Sequence, residues 1–188
     1  TYDGREHFSI ISVPGMKERT IYLHGLSKAY AMTGFRVGYA CAPNAVIEAM
    51  MKIHQYSILC TSIMSQDAAI EALERGEPAM LRMRREYELR RNYIVGALND
   101  MGLECFMPRG AFYVFPKITS TGLTSTEFSM RLLREKRVAV VPGTAFGASG
   151  EGHVRCSYAT GLEQIKVAMT RIAEFVEEVR REGARSAA

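Results

Sequence analysis

Four side chains in this sequence of 188 residues have types and neighbours suited to joint chemistry: Ser27, Lys28, Arg36 and Arg155. Lys28 follows a β-branched and aromatic run, Thr20 to Leu23, through His-Gly-Leu-Ser, and is followed by a Gly-Phe-Arg turn. A neutral, positioned amine at such a strand exit can form a Schiff base with an aldehyde. Burial would make it nucleophilic near neutral pH, because the ammonium loses its hydration. By spacing alone a solvated loop lysine fits as well. Arg36 lies across the turn, and its permanently charged planar fork suits a phosphate, which it can grip with two hydrogen bonds. The plain alternative is a surface ion pair, and for Ser27 a turn-stabilising hydroxyl. Arg155 sits in a short apolar run, Val154 to Tyr158. There it must find an anion or emerge at an edge, since an unpaired buried charge is prohibitively costly.

The elements that must hold these residues can be read from local signals. Thr20 to Leu23 and Val37 to Cys41 read as strands. Pro43 to Tyr56 reads as a helix started by Pro43 and Asn44, with Val46, Met50 and Ile53 as its apolar stripe. Thr61 to Arg75 reads as a second helix, closed by Gly76 as a C-cap. Glu77 to Met101 reads as a third, stopped by Gly102. At the standard rise it would run roughly 37 Å, enough to pass from one domain to another. The boundary is therefore expected within it, dividing 1–85 from 86–188.

Beyond that point the pattern changes. Ala111 to Phe115, Val138 to Val141 and Val154 to Tyr158 read as short strands. Ser125 to Lys136 reads as an amphipathic helix capped by Thr124 or Ser125. Leu162 to Arg181 reads as a closing helix, with Ile165, Met169, Ile172, Phe175, Val176 and Val179 at core spacing. Strands and helices mixed without strict alternation predict an α+β domain. The opening run, Thr1 to Gly15, reads as a loop, and the tail, Gly183 to Ala188, as frayed.

Composition narrows the function classes. The chain is 47% hydrophobic and 23% charged, an ordinary globular balance. A net charge of +4 is too small to argue for nucleic acid. The cluster RMRREYELRR, Arg82 to Arg91, fits a solvated helix face, with Met80, Met83, Tyr87, Ile94 and Leu98 on the apolar side. Four scattered cysteines with no CxxC pair and only four histidines suggest no metal site, and buried reduced thiols are expected. No apolar run is long enough to span a bilayer, and there is no glycine-rich nucleotide loop. His24 and His54 read as structural, while Thr61 and Gln66 have no assigned role from spacing.

Ser27-Lys28 followed by Gly34-Phe35-Arg36-Val37-Gly38 resembles the lysine signature of the class I/II aminotransferases, pyridoxal-phosphate enzymes of fold type I. Gly110-Ala111-Phe112-Tyr113 is similar to that family's small-domain strand. Pro142-Gly143 with Phe146-Gly147, then His153-Val154-Arg155-Cys156-Ser157, is similar to its carboxylate-binding segment. Three matches in the family's order cover most of the chain.

The resemblance implies an α/β fold. The chain would hold the C-terminal part of an aspartate aminotransferase-like large domain in 1–85, followed by an α+β small domain in 86–188. It implies that Lys28 carries pyridoxal 5'-phosphate and moves a proton at the substrate's α-carbon. Arg36 and Ser27 would hold the cofactor phosphate, and Arg155 would clamp the α-carboxylate. The activity implied is exchange of an amino group between an amino acid and a 2-oxo acid, in a cytoplasmic homodimer with no nucleic-acid, membrane or metal partner. A lyase or decarboxylase of the same fold, or the effector domain of a transcription regulator, stands as the alternative. In that family the aspartate that holds the pyridine nitrogen and the upstream phosphate loop precede the segment matched by Tyr2-Asp3-Gly4. The chain is therefore expected to be the C-terminal half of a longer enzyme, inactive alone.

Overall fold

The long helix α4, Glu77–Asp100, contains the point at which the chain divides into two compact units. The computed structural model describes residues 1–186. One unit is Glu6–Arg84; the other joins Thr1–Arg5 to the described residues from Arg85 onward. The first five residues, expected with the N-terminal part, thus pack with the C-terminal one.

In the Glu6–Arg84 unit, β1 (Tyr22–Gly25) pairs antiparallel with β2 (Gly38–Cys41), from Tyr22 opposite Cys41 to Gly25 opposite Gly38. A Cβ on Gly38 would come within 2.8 Å of the His24 carbonyl oxygen, so only glycine fits that rung. The connection between the strands opens with one helical turn, α1 (Leu26–Ala29). Leu26, Met32 and Ala69 form the unit's small buried cluster, with Ala69 supplied by α3 (Ile63–Arg75). The stripe expected on α2 (Asn44–Ser57) is not buried: Met50 and Ile53 are exposed, and among the described residues nothing covers that face. Gly76 is the C-cap of α3, as expected, but in right-handed backbone. Its φ of −78° is right-handed and its N–H donates to the Ala72 carbonyl, so α3 leads almost directly into α4.

The second unit is built on three antiparallel strands in the order β3 (Tyr113–Val114), β5 (Val154–Ser157), β4 (Val141–Pro142). Helix α4 ends in a left-handed Gly102, φ 76°, with Gly102 N–H on Asn99 O and Leu103 N–H on Leu98 O. Helix α5 (Ser125–Lys136) opens with a capping box: Thr124 Oγ1 accepts from the Glu127 N–H, and the Glu127 carboxylate from the Thr124 N–H. Helix α6 runs Leu162–Ser186, so four of the six tail residues read as frayed are helical. Ala187 and Ala188 lie outside the described residues. Ile94, Val95 and Leu98 from α4, Phe128 and Leu132 from α5, and the stripe of α6 cover Val114, Val154 and Cys156 on one sheet face. The strands are shorter than expected because ladder pairing with β5 extends only over Tyr113–Val114 and Val141–Pro142. Val138 and Val140 pack on the core without one.

Arg91 departs from the solvated face expected for its cluster. It is 2% exposed. Its Nη1 and Nη2 donate to the Asp3 carboxylate at 2.8 and 2.7 Å, Nη1 also to the Pro108 carbonyl, and the cation lies over the Tyr2 ring. The partner is 88 residues distant in sequence, beyond the reach of a helical-periodicity argument. Of the cysteines, only Cys105 and Cys156 are buried, and desolvation pushes their thiols up to about 11 and about 12. Cys41 and Cys60 are exposed, contrary to expectation: one ends β2 and the other lies in the α2–α3 loop.

The Arg91 hydrogen bonds hold the Asp3 carboxyl below its ordinary pKa. A depressed folded-state value means that the unfolded chain takes the proton first, so the contribution is present above the ordinary value, about pH 4, and fades as pH falls further. Denaturant titrations of the chain and of Asp3→Asn should therefore differ near neutrality and converge below about pH 4. A gap independent of pH would deny the linkage.

Candidate active site

Three of the four candidate residues lie on the connection between β1 and β2. Leu26, at its start, is 1% exposed. Its N–H donates to Val37 O at 3.2 Å, and its carbonyl accepts from Met32 N–H at 3.4 Å. Buried Leu26 and Met32 thus hold the loop at two points while the β1–β2 ladder closes its ends. Ser27 is half-buried and Lys28 exposed. Two residues along a helical turn rotate the chain by roughly 200°, so a side chain two positions after buried Leu26 points outward. The burial expected to activate Lys28 is therefore not supplied by the described residues.

Arg36 closes a short turn, Thr33–Phe35, at φ 53° and ψ 47°, and Ala31 before it has φ 55°. Both are left-handed without being glycine. Such residues cost of order 1–3 kcal/mol each and persist only where surrounding structure over-determines them. Arg36 is exposed and spends one donor on its own turn, Nη1 to Thr33 O at 3.1 Å. One short, doubly pinned segment thus presents a hydroxyl, an amine and a guanidinium. His24, on β1, stacks on Tyr22 with ring centroids 6.0 Å apart and tilts against Tyr39. Its Nδ1 is buried without a hydrogen bond among the described residues. Gln66 donates to the Thr61 carbonyl at 2.7 Å, a local contact at the start of α3.

Arg155 belongs to the other unit. Along β5, Val154 and Cys156 are buried in the core, so Arg155 and Ser157 face away from it. Tyr113 opposes Ser157 and Lys117 opposes His153, which places Phe115 opposite Arg155 on that same outer face. The guanidinium carbon lies 4.5 Å from the Tyr113 ring centroid and 4.6 Å from that of Phe146. Phe146 meets Phe115 edge-on at 6.1 Å, and Phe115 stacks on His153 at 5.2 Å. Among the described residues no carboxylate pairs with Arg155. Of the two fates open to an apolar-strand arginine, it takes emergence, half-buried on the sheet's outer face. The sequence gives Tyr113 no site role beyond its place in the Gly110-to-Tyr113 phrase. The signal available was the alternation of Phe112-Tyr113-Val114-Phe115, which places Tyr113 and Phe115 opposite buried Val114.

Comparison with known proteins bears on this arrangement. The family profile described as aminotransferase class I and II matches residues 3–172. The chain is 49% identical over 179 residues to aromatic-amino-acid aminotransferase 2 of Thermococcus litoralis, covering 94% of this chain and 46% of that protein. It is 50% identical over 179 residues to an aspartate aminotransferase of Pyrococcus abyssi, with the same coverage, 94% and 46%. The crystal structure of an aromatic aminotransferase from Pyrococcus horikoshii OT3 superimposes with a TM-score of 0.91 at 49% identity, over 94% of this chain and 48% of that one. The chain spans about half the length of the curated relatives it matches.

The left-handed backbone at Ala31 makes its own prediction. Ala31→Gly removes the Cβ penalty and should stabilise the chain by roughly 0.5–1 kcal/mol, although glycine widens the unfolded ensemble. Denaturant midpoints would show it, and a destabilised variant would mean that the loop is not strained there.

Proposed function

The chain belongs to the class I and II aminotransferase family, and on that premise we propose that it carries the cofactor lysine and the substrate-carboxylate arginine of an enzyme exchanging an amino group between an amino acid and a 2-oxo acid. Its fold is that of the fold type I aminotransferases over about half their length. The observation that carries the reading is the pinned β1–β2 connection, where Ser27, Lys28 and Arg36 stand within one short loop.

Pyridoxal phosphate fits this donor set. A hydroxyl and a guanidinium are phosphate ligands, and a lysine amine is the group that captures an aldehyde. When bound, that cofactor supplies an electron sink which acidifies the substrate's α-carbon hydrogen. Ser27 and Arg36 hold the phosphate, Arg36 with the donors left over from Thr33. Lys28 Nζ would carry the proton between the substrate's α-carbon and the cofactor, in one direction in the first half-reaction and in the other in the second, a role that needs a proton-exchanging amine and that arginine cannot fill. Arg155 grips the α-carboxylate with its fork. A group held in this way is a group retained, which favours transamination over a decarboxylase of the same fold. A homodimer and a cytoplasmic setting belong to the same proposal. No described helix is long and apolar enough to cross a membrane.

Two measurements on the full-length enzyme that carries this chain test the assignments. Borohydride reduction after loading with pyridoxal phosphate, followed by peptide mapping, should leave the pyridoxyl group on Lys28. Label on another lysine overturns that role. Arg155→Lys keeps the charge and loses the fork, so kcat/KM for amino acids should fall by the equivalent of about 1.5–3 kcal/mol, the worth of a charged hydrogen bond. An unchanged kcat/KM would remove Arg155 from the substrate site.

A further inference from the structure

We propose that Tyr113 and Phe146 are positioning residues for Arg155, holding its guanidinium over their rings while its hydrogen-bond donors stay available for a substrate carboxylate. The proposal rests on the reading of Arg155 as the carboxylate clamp and assigns the device that prepares it.

A long arginine side chain must be held if it is to meet a carboxylate in one orientation, because each rotamer lost on binding weakens the complex. An acidic neighbour would hold it, but would also spend the fork and neutralise the charge. Arg91 shows that outcome in the same unit: it too lies over a ring, Tyr2 at 4.7 Å, yet its donors are consumed by Asp3, Pro108 and Asn92. Arg155 is restrained differently. Its cation lies over two rings, both inside the 6 Å within which the ring quadrupole attracts a cation. Among the described residues its N–H groups donate to no oxygen. Rings attract the charge without accepting a conventional hydrogen bond, so they fix the group and leave its fork unspent.

The rings are themselves held. Tyr113 is on β3, whose ladder to β5 sets its position on the sheet face beside Arg155. Phe146 closes the turn Gly143–Phe146 that follows β4. That turn is seated by a contact only glycine permits, since a Cβ on Gly143 would lie 2.0 Å from the Gly150 carbonyl oxygen. Phe146 is 51% exposed, but Phe115 braces it edge-on and His153 backs Phe115. The ring row therefore runs from His153 through Phe115 and Phe146 to Arg155.

The test uses the full-length holoenzyme with Phe146→Leu and Tyr113→Leu, which keep apolar bulk and remove the ring, beside Phe146→Tyr and Tyr113→Phe, which keep the ring. Each leucine variant should raise KM for the amino acid about five- to tenfold with kcat within about twofold, and the ring-preserving variants should stay near the parent. Calorimetric binding of hexanoate, a carboxylic acid without an amine, should weaken by the same factor in the leucine variants. In an Arg155→Lys background, Phe146→Leu should weaken hexanoate binding little further, whereas general damage to the fold would weaken both backgrounds alike. If Arg155→Lys itself leaves hexanoate binding unchanged, the clamp reading fails. If Arg155→Lys weakens it and the leucine variants do not, or the two changes are simply additive, the rings do not position Arg155.

Discussion

Burial of the Leu26 side chain is the contact on which the placement of Ser27, Lys28 and Arg36 depends. Fully burying a leucine is worth roughly 1.5–3 kcal/mol, enough to offset much of the left-handed backbone strain at Ala31 and Arg36. Leu26 is also the hinge of the local hydrogen bonding, donating to Val37 and accepting from Met32. With that residue seated, the helical turn has only one orientation, and the residues after it project outward by geometry. A larger cluster would hold the loop more firmly. Here three buried side chains suffice because the β1–β2 ladder already closes both ends.

The arginines of the second unit show how environment sorts one residue type into different tasks. Arg91 is buried and saturated, so it ties the N-terminal residues Tyr2 and Asp3 to α4 and the segment ending at Pro108. Arg131 is shared by Glu135 and Glu182 and joins α5 to α6 at the surface, where solvent screening leaves it a small part in stability. Arg155 is attracted by rings alone among the described residues. Charge, length and donor count are the same in all three, and the difference lies in what the neighbours do with the donors.

Signals contained in a few consecutive residues were legible without a structure. The cap at Thr124 or Ser125, the α6 stripe and the Gly102 stop each act within a turn or two of helix; the structure settles the cap on Thr124 and adds its Glu127 partner. The Ser27-Lys28 and Gly34-Phe35-Arg36 phrases are local too, which is why they could be picked out beside an unremarkable surface lysine. The burial of Arg91 and the ring contacts of Tyr113 and Phe146 with Arg155 escaped that reading. Their partners are distant in sequence, and a helical or apolar context looks the same whether or not such a partner arrives.

By itself the sequence determined where the main helices start and stop and which family the chain belongs to, because propensity, capping and motif are properties of neighbouring residues. Tertiary structure decided that Arg91 is buried and Cys41 exposed, that Lys28 faces outward, and that Arg155 stands over two rings instead of beside a carboxylate. Those outcomes are set by strand register and by contacts between distant segments. Their free energy depends on which groups are brought together and which are removed from water, and a single stretch of chain holds only one side of each contact.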